Sequence, residues 1–154
     1  MTTTMTTTSL RVSRIIQATP DALFRAWTEP AQLRKWWRME GEGWTTGETT
    51  LDLRVGGKYR LGMTAPDGQS HVAIGEYREV RRPARLVFTW EWEDPTKRVG
   101  ATIVTVEFND VGNGATEVVL THEGFENGKQ TAGHENGWTQ LLSLLDGVEG
   151  GKAA

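Results

Sequence analysis

The chain has 154 residues, of which 37% are hydrophobic and 24% are charged, and its formal net charge is -3. This length suits a single domain with a buried core, and the composition excludes an extended disordered chain. The acidic balance argues against a dedicated nucleic-acid-binding protein, which would normally carry a basic stripe, and no apolar run of about 18 residues is present that could cross a membrane.

Cysteine is absent, which excludes a disulfide framework, a thiolate zinc site and a cysteine nucleophile. The threonine-rich start lacks the basic and apolar regions of a secretory signal, so we expect a cytoplasmic protein. We predict a disordered N-terminal tail over residues 1–9, one domain over 10–148 and a flexible C-terminal tail over 149–154.

The first predicted elements are a strand and two short helices. Residues 10–16 alternate between apolar and polar side chains, which predicts a strand. A helix from Pro20 to Trp27 follows, since proline suits the first helical position, and Trp27 is expected in the core. Pro30 then begins a second helix that includes the Trp36-Trp37 pair.

From about residue 50 the apolar pattern changes to a period of two, in short segments separated by turn residues. Even spacing and short connections predict hairpins, and therefore one antiparallel meander. We predict six strands, over residues 50–55, 58–64, 70–80, 85–93, 100–109 and 115–122.

The last predicted element is a helix over residues 130–147, with an apolar stripe that contains His134, Trp138, Leu141 and Leu145. Such a helix must cover the inner apolar face of the sheet. Strand alternation places Phe88, Trp90 and Trp92 on that inner face. The predicted order is thus one strand, two helices, six strands and a long helix, an α+β fold.

Several segments match a known superfamily in order along the chain: 12–14, 24–30, 33–37, 52–59, 75–80, 85–90, 121–125 and 137–141. Together they resemble the START-like or Bet v 1-like (SRPBCC) superfamily, and within it the branch named after the activator of the Hsp90 ATPase. The resemblance implies a helix-grip fold, in which a curved antiparallel sheet wraps the long C-terminal helix and encloses a cavity. Arg38-Met39 departs from the Gly-Pro usual in that branch, so we expect the loop over 38–49 to differ.

We predict that the cavity binds a small hydrophobic ligand, a lipid or a polyketide-like or aromatic molecule, without a cofactor. Apolar walls with a few polar groups are typical of such sites, although the same tryptophans also suit a plain core. The predicted wall consists of Trp37, Tyr59, Leu61, Met63, Phe88, Trp90, Trp92, Val104, Val106, His122, Trp138, Leu141, Leu142 and Leu145.

Two other functions remain open at this point. The resemblance implies a co-chaperone or stress-related module that binds a chaperone of the Hsp90 type, and the superfamily also contains cyclases and hydrolases. An enzyme would use His122 or Glu76 in the cavity, but His122 equally suits a hydrogen-bonded interior position. A homodimer is a further possibility, as two-fold dimers are common among soluble oligomers.

No catalytic constellation is recognisable in the sequence. The serines lie outside any nucleophile-elbow pattern, and the three histidines, at positions 71, 122 and 134, are too scattered to predict a metal site. We therefore assign no catalytic and no metal-binding residue.

Overall fold

The computed structural model describes residues 9–94, 96 and 101–150, and the structural statements below refer to these residues. Three residues of the predicted tails are part of the fold: Ser9 belongs to the first strand, Glu149 to the last helix, and Gly150 is the C-cap of that helix. The rest of the predicted tails, over 1–8 and 151–154, and the predicted strand start at residue 100 lie outside the described residues.

The described chain forms seven strands and three helices in the predicted order. They are β1 (Ser9–Ile16), α1 (Pro20–Thr28), α2 (Pro30–Leu33), β2 (Thr45–Leu51), β3 (Lys58–Thr64), β4 (Ser70–Arg81), β5 (Arg85–Trp92), β6 (Thr102–Gly112), β7 (Ala115–Glu123) and α3 (Gly128–Glu149).

All seven strands belong to one antiparallel sheet in the order β1-β7-β6-β5-β4-β3-β2. Strands β2 to β7 pair in the order in which they follow one another along the chain, so they form the predicted meander. The first strand, β1, pairs with the last strand, β7. The curved sheet and the long helix α3 confirm the predicted α+β helix-grip fold. No helix in the described ranges is both long and apolar enough to cross a membrane.

The strand predicted over 50–55 is wrong, because β2 ends at Leu51 and residues 52–57 form a tight turn. The Asp52 amide donates to the Lys58 carbonyl, and Gly56 has a φ of 85°, which glycine adopts readily. The start of β2 carries threonine, glycine and glutamate at the sheet edge, so it lacks the apolar alternation that marks a strand.

The second helix is also shorter than predicted, because α2 ends at Leu33 before the tryptophan pair. The Thr46 hydroxyl lies 3.1 Å from the Arg34 carbonyl and 2.9 Å from that of Trp37, so β2 supplies a donor to carbonyls that a longer helix would pair internally. The Trp36 indole N–H donates to the Ala26 carbonyl at 3.0 Å and ties this turn to α1.

The core lies between the concave face of the sheet and the three helices. Trp27 is buried there, as expected, with its ring stacked at 6.0 Å on Trp138 of α3 and packed edge-to-face at 4.9 Å on Trp36. These aromatic contacts join α1, the turn after α2 and α3 into one side of the core.

Candidate functional site

A cavity of about 430 Å³ lies between α3 and the strands β3, β4 and β5. Its wall is mostly apolar and aromatic, which is typical of sites for small hydrophobic molecules. The lining residues are Met39, Trp44, Met63, His71, Trp90, Trp92, Lys129, Gln130, Gly133, His134, Gly137, Trp138 and Leu141.

One face of α3 forms the long side of the cavity. The residues that it contributes, from Lys129 to Leu141, recur at helical spacing, so the cavity follows the helix axis over roughly 18 Å. The loop after α2 adds Met39 and Trp44, and its Glu40 amide donates to the Gln140 side chain of α3 at 3.0 Å. This bond fixes the loop against the helix and thereby shapes one end of the cavity.

The structure brings part of the predicted wall together at the cavity: Met63, Trp90, Trp92, Trp138 and Leu141. The other predicted wall residues are buried in the core and do not line this cavity: Trp37, Tyr59, Leu61, Phe88, Val104, Val106, His122, Leu142 and Leu145. The rings of Trp90 and Trp138 pack at 4.9 Å, so sheet and helix meet there and side chains fill the space beyond them.

Sequence reasoning missed several lining residues. Gly133 and Gly137 fall at helical spacing on the face that carries Trp138, and that spacing could have identified them. His71 is half-buried, and its ring lies 5.8 Å from that of Trp44. No sequence signal places Trp44, since the path of its loop depends on contacts with α3.

His122 is fully buried beside the cavity and links α3 to three neighbouring strands. The Trp138 indole N–H donates to its Nδ1 at 2.9 Å, so the ring proton resides on Nε2. Nε2–H then donates to the Thr102 hydroxyl at 2.7 Å, and that hydroxyl donates to the Trp90 carbonyl at 2.8 Å. Both ring nitrogens of His122 therefore have hydrogen-bond partners, which agrees with the hydrogen-bonded interior position that the sequence leaves open for it.

His134 lies on the cavity wall and makes a second bond between histidine and tryptophan. The Trp92 indole N–H donates to its Nε2 at 3.1 Å, and its Nδ1–H donates to the Gln130 carbonyl at 2.9 Å. Its ring lies 5.3 Å from that of His122, with Phe125 packed on both. The polar groups of Trp92 and His134 thus satisfy one another, whereas the buried indole N–H of Trp90 has no hydrogen-bond partner among the described residues.

Burial keeps both rings neutral. It lowers the pKa of His122 from 6.5 to about 2, with a smaller contribution in the same direction from His134. Burial also lowers the pKa of His134, although its bond to the Gln130 carbonyl acts in the opposite direction. Neither ring is therefore suited to proton transfer at neutral pH.

These pKa shifts predict acid destabilisation. Below about pH 6.5 the unfolded chain takes up protons that the native state excludes, so the free energy of unfolding falls with falling pH. His122 alone should remove about 2 kcal/mol between pH 7 and pH 5. Urea unfolding at both pH values measures this loss of stability. A His122→Phe variant that loses as much stability as the wild type between pH 7 and pH 5 would contradict the assignment of the effect to His122.

The two residues named for an enzyme, His122 and Glu76, do not face one common cavity in the described structure. Glu76 lines a groove on the opposite side of the sheet, with Ile74 and Glu91, and does not reach the cavity. Across the described ranges no cluster of three or more His, Asp or Glu could hold a metal ion.

A protein-family model described as "Activator of Hsp90 ATPase homolog 1-like protein" matches residues 17–148. No curated protein matches the chain at a significant level.

Solved structures of similar fold include protein CV1439 from Chromobacterium violaceum, with 27% identity and a TM-score of 0.80 over 92% of this chain and 96% of that one. The AHSA1 protein from Silicibacter pomeroyi shares 28% identity, with a TM-score of 0.77 over 90% of this chain and 95% of its own. PFC0360w, an HSP90 activator from Plasmodium falciparum, shares 26% identity, with a TM-score of 0.69 over 92% and 95% of the two chains.

Proposed function

This chain belongs to the activator of Hsp90 ATPase homolog 1-like family, and on that premise we propose that it binds a small hydrophobic ligand, a lipid or a polyketide-like or aromatic molecule. The ligand would occupy the cavity between α3 and the sheet. The observation that carries this proposal is the cavity itself, with about 430 Å³ of space and a wall that includes Met63, Trp92 and Leu141.

Two glycines in α3 support this function. Gly133 and Gly137 lie inside a 22-residue helix, where glycine costs about 1 kcal/mol relative to alanine. A Cβ atom at either position would meet no other atom within 4 Å, so packing does not require glycine there. Both residues line the cavity, and their missing side chains preserve its volume at a cost in stability.

Alanine substitution should separate stability from binding. We expect Gly133→Ala and Gly137→Ala each to raise the free energy of unfolding by about 0.5–1 kcal/mol and to weaken ligand binding, because the methyl group enters the cavity. Gly147→Ala is the matched control, since Gly147 lies in α3 away from the cavity with equally open space. Urea unfolding measures the stability and ligand titration the affinity. A Gly137→Ala protein that is less stable than the wild type would contradict the claim that glycine is present there to keep the cavity open.

Intrinsic fluorescence tests the function itself, because Trp90, Trp92 and Trp138 all line the cavity. Titration with naphthalene derivatives, flavones and medium-chain fatty acids should change the emission with saturation. For a compound of about 12 non-hydrogen atoms at about -0.5 kcal/mol per atom, we expect a Kd of about 40 μM. An unchanged spectrum across the whole panel, together with no heat in calorimetry, would refute the proposal.

The family match and the likeness to an HSP90 activator favour a second candidate function, binding to a chaperone of the Hsp90 type. The chain would act there as a protein-interaction module. A pull-down with purified Hsp90 and a measurement of its ATPase rate test this candidate; absence of complex and an unchanged rate would exclude it.

A further inference from the structure

The charge on the described wall of the cavity is of one sign, positive. Among the described residues that line it, Lys129 alone carries a permanent charge, and no carboxylate lines it. This asymmetry contrasts with the whole chain, whose formal net charge is -3. An apolar cavity with one cationic group and no anionic group is complementary to an anion with an apolar body.

Lys129 lies where a ligand head could remain in contact with water. It is exposed in the first turn of α3, at the end of the cavity opposite Leu141. Glu123 and Glu126, which precede the helix, are exposed and do not line the cavity. The partial positive charge of the helix start acts in the same direction as the ammonium group.

Few polar groups of the cavity wall near Trp92 could compete with Lys129 for the ligand head. The indole N–H of Trp90 has no partner among the described residues, but its nitrogen is buried. The indole N–H of Trp92 and both ring nitrogens of His134 bond to each other or to the Gln130 carbonyl. The Gln130 side-chain oxygen accepts from the Glu126 amide at 3.0 Å. A buried charged head would find no counterion there, whereas an apolar body would contact Trp92, Gly137 and Leu141.

We propose that the ligand is an amphipathic monoanion, whose carboxylate pairs with Lys129 at the start of α3 and whose apolar body lies along the glycine face of the helix. This inference rests on the proposed binding function and specifies the chemical class and orientation of the ligand. The site would bind the anion more tightly than an uncharged analogue, because the analogue makes the same apolar contacts but cannot form the ion pair with Lys129.

Calorimetry with 2-naphthoate and its neutral analogue 2-naphthamide tests the inference. We expect the wild type to bind naphthoate about fivefold more tightly than the amide at low salt, the range of a partly solvated ion pair. Lys129→Gln should abolish this preference, and Lys129→Glu should reverse it.

Lys58→Gln provides the matched control, because it makes the same charge change on the groove at the opposite side of the sheet. It should retain the preference for naphthoate. Equal binding of the two compounds by the wild type, or a preference that survives in Lys129→Gln, would overturn the inference and leave the proposed function intact. Failure of both compounds, alongside failure of the fluorescence panel, would instead overturn the proposed function and with it this inference.

Discussion

Replacing Gly137 by leucine is expected to weaken ligand binding by about 100-fold or more, which corresponds to about 2.7 kcal/mol. Gly137 lines the cavity midway along the face of α3, and no atom lies within 4 Å of the position of a Cβ there. A leucine side chain would therefore occupy the space between α3 and the tryptophans of β5, which a ligand needs for its apolar contacts.

Gly147→Leu is the control for this substitution, since it adds the same side chain to an exposed position of the same helix. It should bind ligand like the wild type, and neither variant should unfold more easily, because leucine is the better helix former. Calorimetry measures the affinities and urea unfolding the stabilities. A Gly137→Leu protein with wild-type affinity would show that the ligand binds elsewhere.

His122→Ala is expected to lower the free energy of unfolding by about 3–5 kcal/mol. The substitution leaves a cavity at a fully buried position and removes the acceptor of the Trp138 indole N–H. It also breaks the chain of bonds through Thr102 that connects α3 with β7, β6 and β5. Chemical unfolding measures the loss directly.

A double-mutant cycle separates the hydrogen bond from the loss of volume. His122→Phe keeps a ring but leaves the Trp138 N–H without its acceptor, whereas adding Trp138→Phe removes that donor as well. We expect a coupling free energy of about 1–3 kcal/mol between the two sites. Additive effects, or a His122→Ala protein as stable as the wild type, would contradict the structural role of this histidine.

Periodicity was sufficient to predict the order of the elements and the meander, because each long strand and α3 has a clear apolar repeat. It failed at Thr45–Leu51, where an edge strand buries little and carries few apolar residues. It also extended α2 too far, because the Thr46 hydroxyl from a later strand bonds to carbonyls at the end of that helix. Such contacts between distant segments leave no local pattern.

The site was predictable only in part for a similar reason. Alternation shows which face of a strand a residue occupies, so it correctly directed Trp90 and His122 inward. It does not show how deep a side chain lies, and Trp90 lines the cavity while Phe88, on the same face, belongs to the closed core. The glycines of α3 were missed because an apolar stripe is recognised in a sequence from its large residues. A cavity depends equally on positions that have no side chain, and glycine leaves no such apolar signal.

Intermolecular NOEs test the central claim, binding in the cavity along α3, most directly. With the tightest ligand of the panel bound, we predict NOEs from its ring or chain protons to the methyl groups of Met63 and Leu141, which line the cavity. Ile74, in the groove on the opposite side of the sheet, should show none. NOEs to Ile74 with none to Met63 and Leu141 would contradict the account.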